Sequence, residues 1–122
     1  VFQLTHDESV GEMRFKNGDY DSESLQYQMD RNKLIRYVGC DRSGYAFNPQ
    51  ESSWISLNEG DLFVLVTDGV WEKLSGRQIR NIIWRADEGV ELSCENLINS
   101  AVQNCASDYV SAVVIKCVRK DT

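Results

Sequence analysis

Leu62-Phe-Val-Leu-Val66 is an unbroken apolar run that passes directly into Thr67-Asp68-Gly69-Val70-Trp71. A run this short, rich in β-branched and aromatic residues, reads as a strand buried on both faces. Its C-terminal end delivers a carboxylate, and the glycine behind it lets the backbone turn sharply. An ionised Asp at the rim of a core strand is costly unless a positive or hydrogen-bonding group compensates it. A bound cation is one such compensation. An ordinary Asp-Gly strand exit, with no chemistry attached, is the other explanation.

A second run bears on the choice. Val110 to Val118 is apolar on both alternating faces, so it too reads as a central strand, and Ser107-Asp108 stands just before it. If the two strands are antiparallel neighbours, the end of one lies beside the start of the other, and Asp68 and Asp108 converge. Two carboxylates held close raise each other's pKa unless a divalent cation takes both. Oxygen ligands with no His or Cys nearby favour Mg²⁺ or Mn²⁺ over zinc.

The remaining segments predict an α+β chain. A helix over Val10 to Lys16 is signalled by Ser9 and Glu12 as a capping box and by the stop at Asn17-Gly18. A second helix is expected after Asp21, through Leu25 and Met29, ending between Asp30 and Asn32. Lys33 to Gly39 is ambiguous between helix end and strand, and Cys40 to Glu51, with the single proline Pro49, reads as a loop. Trp54 to Leu57 predicts a strand joined by the turn Asn58 to Asp61 to Leu62–Val66. Ser75 and Gln78 form another capping box, flanked by Leu74 and Ile79 as a hydrophobic staple. Ile79, Ile82, Ile83 and Ala86 follow at helical spacing. A last helix is expected from Ser93, with Leu97, Ile98, Ala101, Val102 and Cys105 on one side.

Composition excludes several classes. The chain has 122 residues, a net charge of −6 and scattered rather than clustered Lys and Arg, so no nucleic-acid footprint is present. No apolar run approaches the roughly 20 residues needed to cross a bilayer, so no membrane association is expected. The four cysteines, Cys40, Cys94, Cys105 and Cys117, show no zinc-type spacing. Reduced, mostly buried thiols in a cytoplasmic protein are the expectation, with Cys94 and Cys105 on one helix face. Val1-Phe-Gln-Leu-Thr5 already has strand character, which suggests a piece of a longer chain.

Five segments, in order, resemble the PP2C (PPM) family of metal-dependent serine/threonine protein phosphatases, in its bacterial form. Thr5-His6-Asp7-Glu8-Ser9 is similar to the family's Thr-x-Asp-His-Ser element. Asn17-Gly18 with Tyr20, Asp21 and Glu23 resembles its next helix start. Arg31 to Gly39 resembles its Arg-Asn-x-Leu-Thr-Arg-x-Leu-Gly element. Leu57 to Trp71 matches its Gly-Asp…Thr-Asp-Gly-Leu-Trp strand almost throughout, and Ser107 to Ser111 sits at its Asp-Asn-x-Thr position. The likeness spans Leu4 to Val118.

That resemblance implies a β-sandwich of two antiparallel sheets flanked by helices, with a binuclear Mg²⁺ or Mn²⁺ centre between the sheets. It implies that a metal-activated bridging water attacks the phosphorus of phosphoserine or phosphothreonine in proteins, without a phosphoenzyme. Asp68 and Asp108 match metal ligands, whereas Asp7 and Ser9 match a motif expected to be structural. His6 falls beside the motif's His position, which Glu8 occupies, and reads as a loop residue. The family's metal-bridging Asp with its glycine loop, phosphate-binding Arg and candidate acid His have no counterpart here. The whole chain, 1–122, is therefore expected to be the C-terminal part of one such domain, partnered by a missing N-terminal half and inactive alone. Tyr109 stands where the family has Asn. A catalytically inactive PP2C-like module that acts through protein–protein interaction is the second reading.

Overall fold

The computed structural model describes residues 1–40, 51–84 and 89–120. These fall into two compact units, Phe2–Trp54 and a unit that begins at Ile55. The architecture is α+β, with five helices and one two-stranded antiparallel sheet among the described residues. None of these helices is long and apolar enough to cross a membrane.

In the first unit, α1 (Val10–Lys16) packs on α2 (Leu25–Asp30). Ser9 caps α1 by accepting the Glu12 amide through Oγ at 3.2 Å, and Asn17 closes the helix at the expected place. The second helix starts later than its sequence suggests, because Ser24 supplies the cap, accepting from the Tyr27 amide. Lys33 to Gly39 forms neither helix nor strand; it contributes an isolated bridge between Leu34 and Ser9. The expected loop over Cys40 to Glu51 lies mostly outside the described residues.

A buried carboxylate ties these helices together. Asp30 is 2% exposed and accepts from Tyr20 Oη at 3.1 Å, Gln26 Nε2 at 3.0 Å and Lys33 Nζ at 2.6 Å, with Arg14 of α1 at 3.6 Å. The Gln26 amide and the Lys33 ammonium, with the Tyr20 hydroxyl behind them, hold its pKa down to about 2 from 3.8. A depressed carboxyl contributes stability that is present above the unfolded value and lost as pH falls through the folded one. The first unit is therefore expected to keep this contribution above pH 3.8 and to lose it between there and about 2. Denaturant unfolding followed by circular dichroism across that window checks this. Asp30→Asn should lower stability at neutral pH and flatten the acid slope.

The second unit is built on β1 (Leu62–Val66) and β2 (Ala112–Lys116), paired antiparallel with Val64 opposite Val114. A one-turn helix, α3 (Asp68–Trp71), follows β1 directly, then α4 (Gly76–Ile83) and α5 (Val90–Gln103). The core joins Val70 and Leu74 to Ile83 of α4, Leu97 and Ala101 of α5, and Val114 of β2. Leu62, Val64, Val66 and Ala112 pack against it, so the helices cover one face of the sheet. Full burial of Val70 and Leu97 contributes roughly 1.5–3 kcal/mol each.

The Ser75 capping box forms in both directions, with the Gln78 amide on Ser75 Oγ at 3.3 Å and the Ser75 amide on Gln78 Oε1 at 2.9 Å. Leu74 is buried and Ile79 packs on the core, as a staple requires. Ser75→Ala should cost about 1 kcal/mol in a denaturant titration, the usual worth of such a cap.

Several expectations are corrected. Trp54 to Leu57 is not a strand; it is exposed, and no described strand lies beside it to bond. The two strands are not buried on both faces, because helices cover only the even-numbered side. The last helix begins at Val90 rather than Ser93, with Gly89 at the cap; Ser93 is buried inside it and donates to the Gly89 carbonyl at 3.3 Å. Cys105 does not share a helical face with Cys94, since it follows the helix end with φ +59° and is exposed. Val102 is likewise exposed. Ala86 lies outside the described residues.

Candidate metal centre

β1 ends and β2 begins at the paired residues Val66 and Ala112, so Asp68 and Asp108 lie beyond the same end of the sheet. Thr67 fastens the two strand ends together. Its amide donates to the Ser111 carbonyl at 3.1 Å. Its Oγ1 donates to the Tyr109 carbonyl at 2.9 Å and accepts from the Ser111 amide at 3.0 Å. One hydroxyl thus spans forty-odd residues of sequence to fix the segment that carries Asp108.

Gly69 allows the approach. A Cβ there would stand 2.4 Å from the Tyr109 carbonyl oxygen and 3.1 Å from that of Asp108. Both atoms are backbone, so neither can swing aside. The bare glycine therefore lets the backbone after Asp68 touch the backbone after Asp108.

The carboxylates themselves are alike. Asp68 Oδ1 accepts from the Gly69 amide at 2.9 Å, and Asp108 Oδ1 accepts from the Tyr109 amide at 2.7 Å. Each oxygen is oriented by the amide that follows it, and both residues are exposed. As hard oxygen donors gathered at one sheet end, they suit Mg²⁺ or Mn²⁺ in kind. They fall short in number: among the described residues no group of three His, Cys, Asp or Glu is assembled to hold a metal. An octahedral cation would need its other ligands from water or from elsewhere.

The residues matched by the Thr5–Ser9 motif lie in the other unit. Ser9 is buried and caps α1, which is a structural role. Glu8 takes both of its oxygens to Arg36 Nη1 at 3.1 Å. His6 is largely exposed, with Nδ1 4.0 Å from Glu12. Tyr109 has its amide and carbonyl fixed as described, while its side chain is open to solvent, 89% exposed as a residue.

Sequence reading did not single out Thr67, which makes more contacts across the site than either aspartate. Its signal was available: a hydroxyl residue directly between a core strand and its terminal Asp. No protein-family model, curated protein or solved structure matches this chain.

Proposed function

We propose that this chain is the C-terminal portion of a bacterial-type PP2C domain that hydrolyses phosphoserine and phosphothreonine in proteins, with Mg²⁺ or Mn²⁺. The observation that carries the reading is the fastening of the β1 and β2 ends, which brings the backbones behind Asp68 and Asp108 into contact. The five motif likenesses supply the family. The completed β-sandwich and the binuclear centre belong to this proposal, as does a cytoplasmic location.

Within it, Asp68 and Asp108 provide the negative charge that holds divalent cations, and Thr67 keeps the two strand ends from separating. Bound cations would supply Lewis-acid stabilisation of phosphoryl oxygens and a water of lowered pKa. The N-terminal half is required for the remaining ligands and for neutralising the phosphoryl group. An inactive module acting through protein contacts is the second reading. Tyr109 favours it, since a phenol there replaces a small amide next to Asp108.

The test compares two chains under Mn²⁺ with a phosphothreonine peptide. The 122-residue chain should release no phosphate above background, and a longer chain carrying the upstream half should turn over. An inactive longer chain that Tyr109→Asn fails to rescue would overturn the phosphatase reading in favour of the inactive module.

A further inference from the structure

Thr67 stands at the N-cap of α3 with extended backbone, φ −77° and ψ 165°, yet its side chain makes no capping bond. A threonine in that place ordinarily accepts an amide two or three residues on. Ser9, Ser24 and Ser75 do so at the heads of α1, α2 and α4. At α3 the Gly69 amide goes to Asp68 Oδ1 and the Val70 amide to the Thr67 backbone carbonyl, at 2.9 Å each. The Thr67 hydroxyl is spent elsewhere: it gives its single proton to the Tyr109 carbonyl and accepts the Ser111 amide.

The two aspartates depend on that hydroxyl unequally. Asp68 opens α3, where its carbonyl accepts the Glu72 amide at 2.9 Å, so helix backbone fixes it whatever the hydroxyl does. Asp108 belongs to residues 106–111, which form neither helix nor strand. Its carboxylate bonds to the Tyr109 amide, and the Tyr109 carbonyl is the group that Thr67 grips. The path from Thr67 Oγ1 to Asp108 Oδ1 therefore runs through a single residue.

We propose that Thr67 is a positioning residue for Asp108: its hydroxyl, withheld from α3, sets where that one carboxylate stands and so how tightly the site holds a divalent cation. This rests on the reading of the two aspartates as cation ligands. Strand pairing is not the agent. The pairing of Val66 with Ala112 and the 3.1 Å bond from the Thr67 amide to Ser111 use backbone alone and persist without the hydroxyl.

The test uses a longer chain that carries the upstream half. Mn²⁺ binding is read by isothermal titration, and backbone protection by amide hydrogen exchange without metal. Thr67→Val keeps the side-chain shape and removes both hydroxyl bonds. It should weaken Mn²⁺ binding by about tenfold, the lower end of what a partner of a metal ligand is worth, because the hydroxyl holds backbone beside Asp108 rather than its carboxylate. Thr67→Ser, which keeps the hydroxyl, should stay within about threefold of the native chain. Exchange in Thr67→Val should quicken at Tyr109 and Ser111 and stay unchanged at Glu72. Circular dichroism confirms folding, and Thr67→Ala takes the place of the valine variant if that one does not fold. Equal Mn²⁺ affinity in Thr67→Val, a serine variant as weak as the valine one, or exchange quickened equally at Glu72 would overturn the positioning role and leave the cation reading intact. A native longer chain that binds no Mn²⁺ would overturn both.

Discussion

On the proposed reading, Asp68→Asn in a longer chain that carries the upstream half should remove metal-dependent phosphate release and leave the fold in place. Asn keeps an Oδ1 able to accept the Gly69 amide, so the 2.9 Å bond that orients the side chain survives. What disappears is the negative charge, and an amide oxygen is a weaker donor for a hard cation. The drop in kcat/KM should exceed the roughly 10–100-fold that a residue merely supporting a metal ligand is worth. Stability should change by no more than about 0.5 kcal/mol, as for an exposed substitution. Asp108→Asn should behave alike, because its Oδ1 has the same bond to the next amide at 2.7 Å. Isothermal titration with Mn²⁺ separates the cases: weakened binding with an unchanged unfolding midpoint assigns the role to charge. Full activity in either variant would remove that aspartate from the proposed metal site.

The second large effect is on stability. Gly69→Ala places a methyl carbon 2.4 Å from the Tyr109 carbonyl oxygen, well inside contact distance. Overpacking of this kind ordinarily costs about 1–3 kcal/mol, and the upper end is expected because the obstacle is backbone held by Thr67. Relief requires the two strand ends to part, so the Thr67 bonds to Tyr109 and Ser111 should be lost with it. Denaturant unfolding gives the cost, and amide hydrogen exchange at Ser111, whose N–H is held by Thr67 Oγ1, gives the location. An alanine variant of unchanged stability and exchange would show that the segment after Asp108 is free to move.

Capping and periodicity were legible in the sequence because they are local. Ser9 and Ser75 each satisfy an amide three residues on, and α1 has the limits that its caps dictate. The pairing of β1 with β2 was legible for a different reason: two apolar runs in a short chain have few other partners. What misled was burial. Apolar strands in both runs implied helices or a sheet on each face, yet only one face is covered, which no local pattern can reveal. Trp54 to Leu57 failed as a strand for a related reason, since a strand exists through its neighbour and none is described there. Asp30 was invisible as a core residue because a buried carboxylate depends on four partners, two of which, Arg14 and Tyr20, lie outside its own helix and turn. That both aspartates stand beyond one end of the sheet could be read from their strands. The hydroxyl that joins them could not be weighted, because its partners are more than forty residues away.

That separation has a kinetic meaning. α3, α4 and α5 all lie between Thr67 and Tyr109, so the bond between them closes a long loop and its entropy must be lost before the contact is made. Contacts of this kind form late and slow folding relative to the local helices. The two aspartates consequently stand beyond one sheet end in the native state alone, and far apart in an unfolded chain. On the proposed reading, a divalent cation that requires both aspartates will bind the folded form selectively and raise the unfolding midpoint with its concentration, so a thermal shift reads the closure of this loop and the cation's affinity in one measurement.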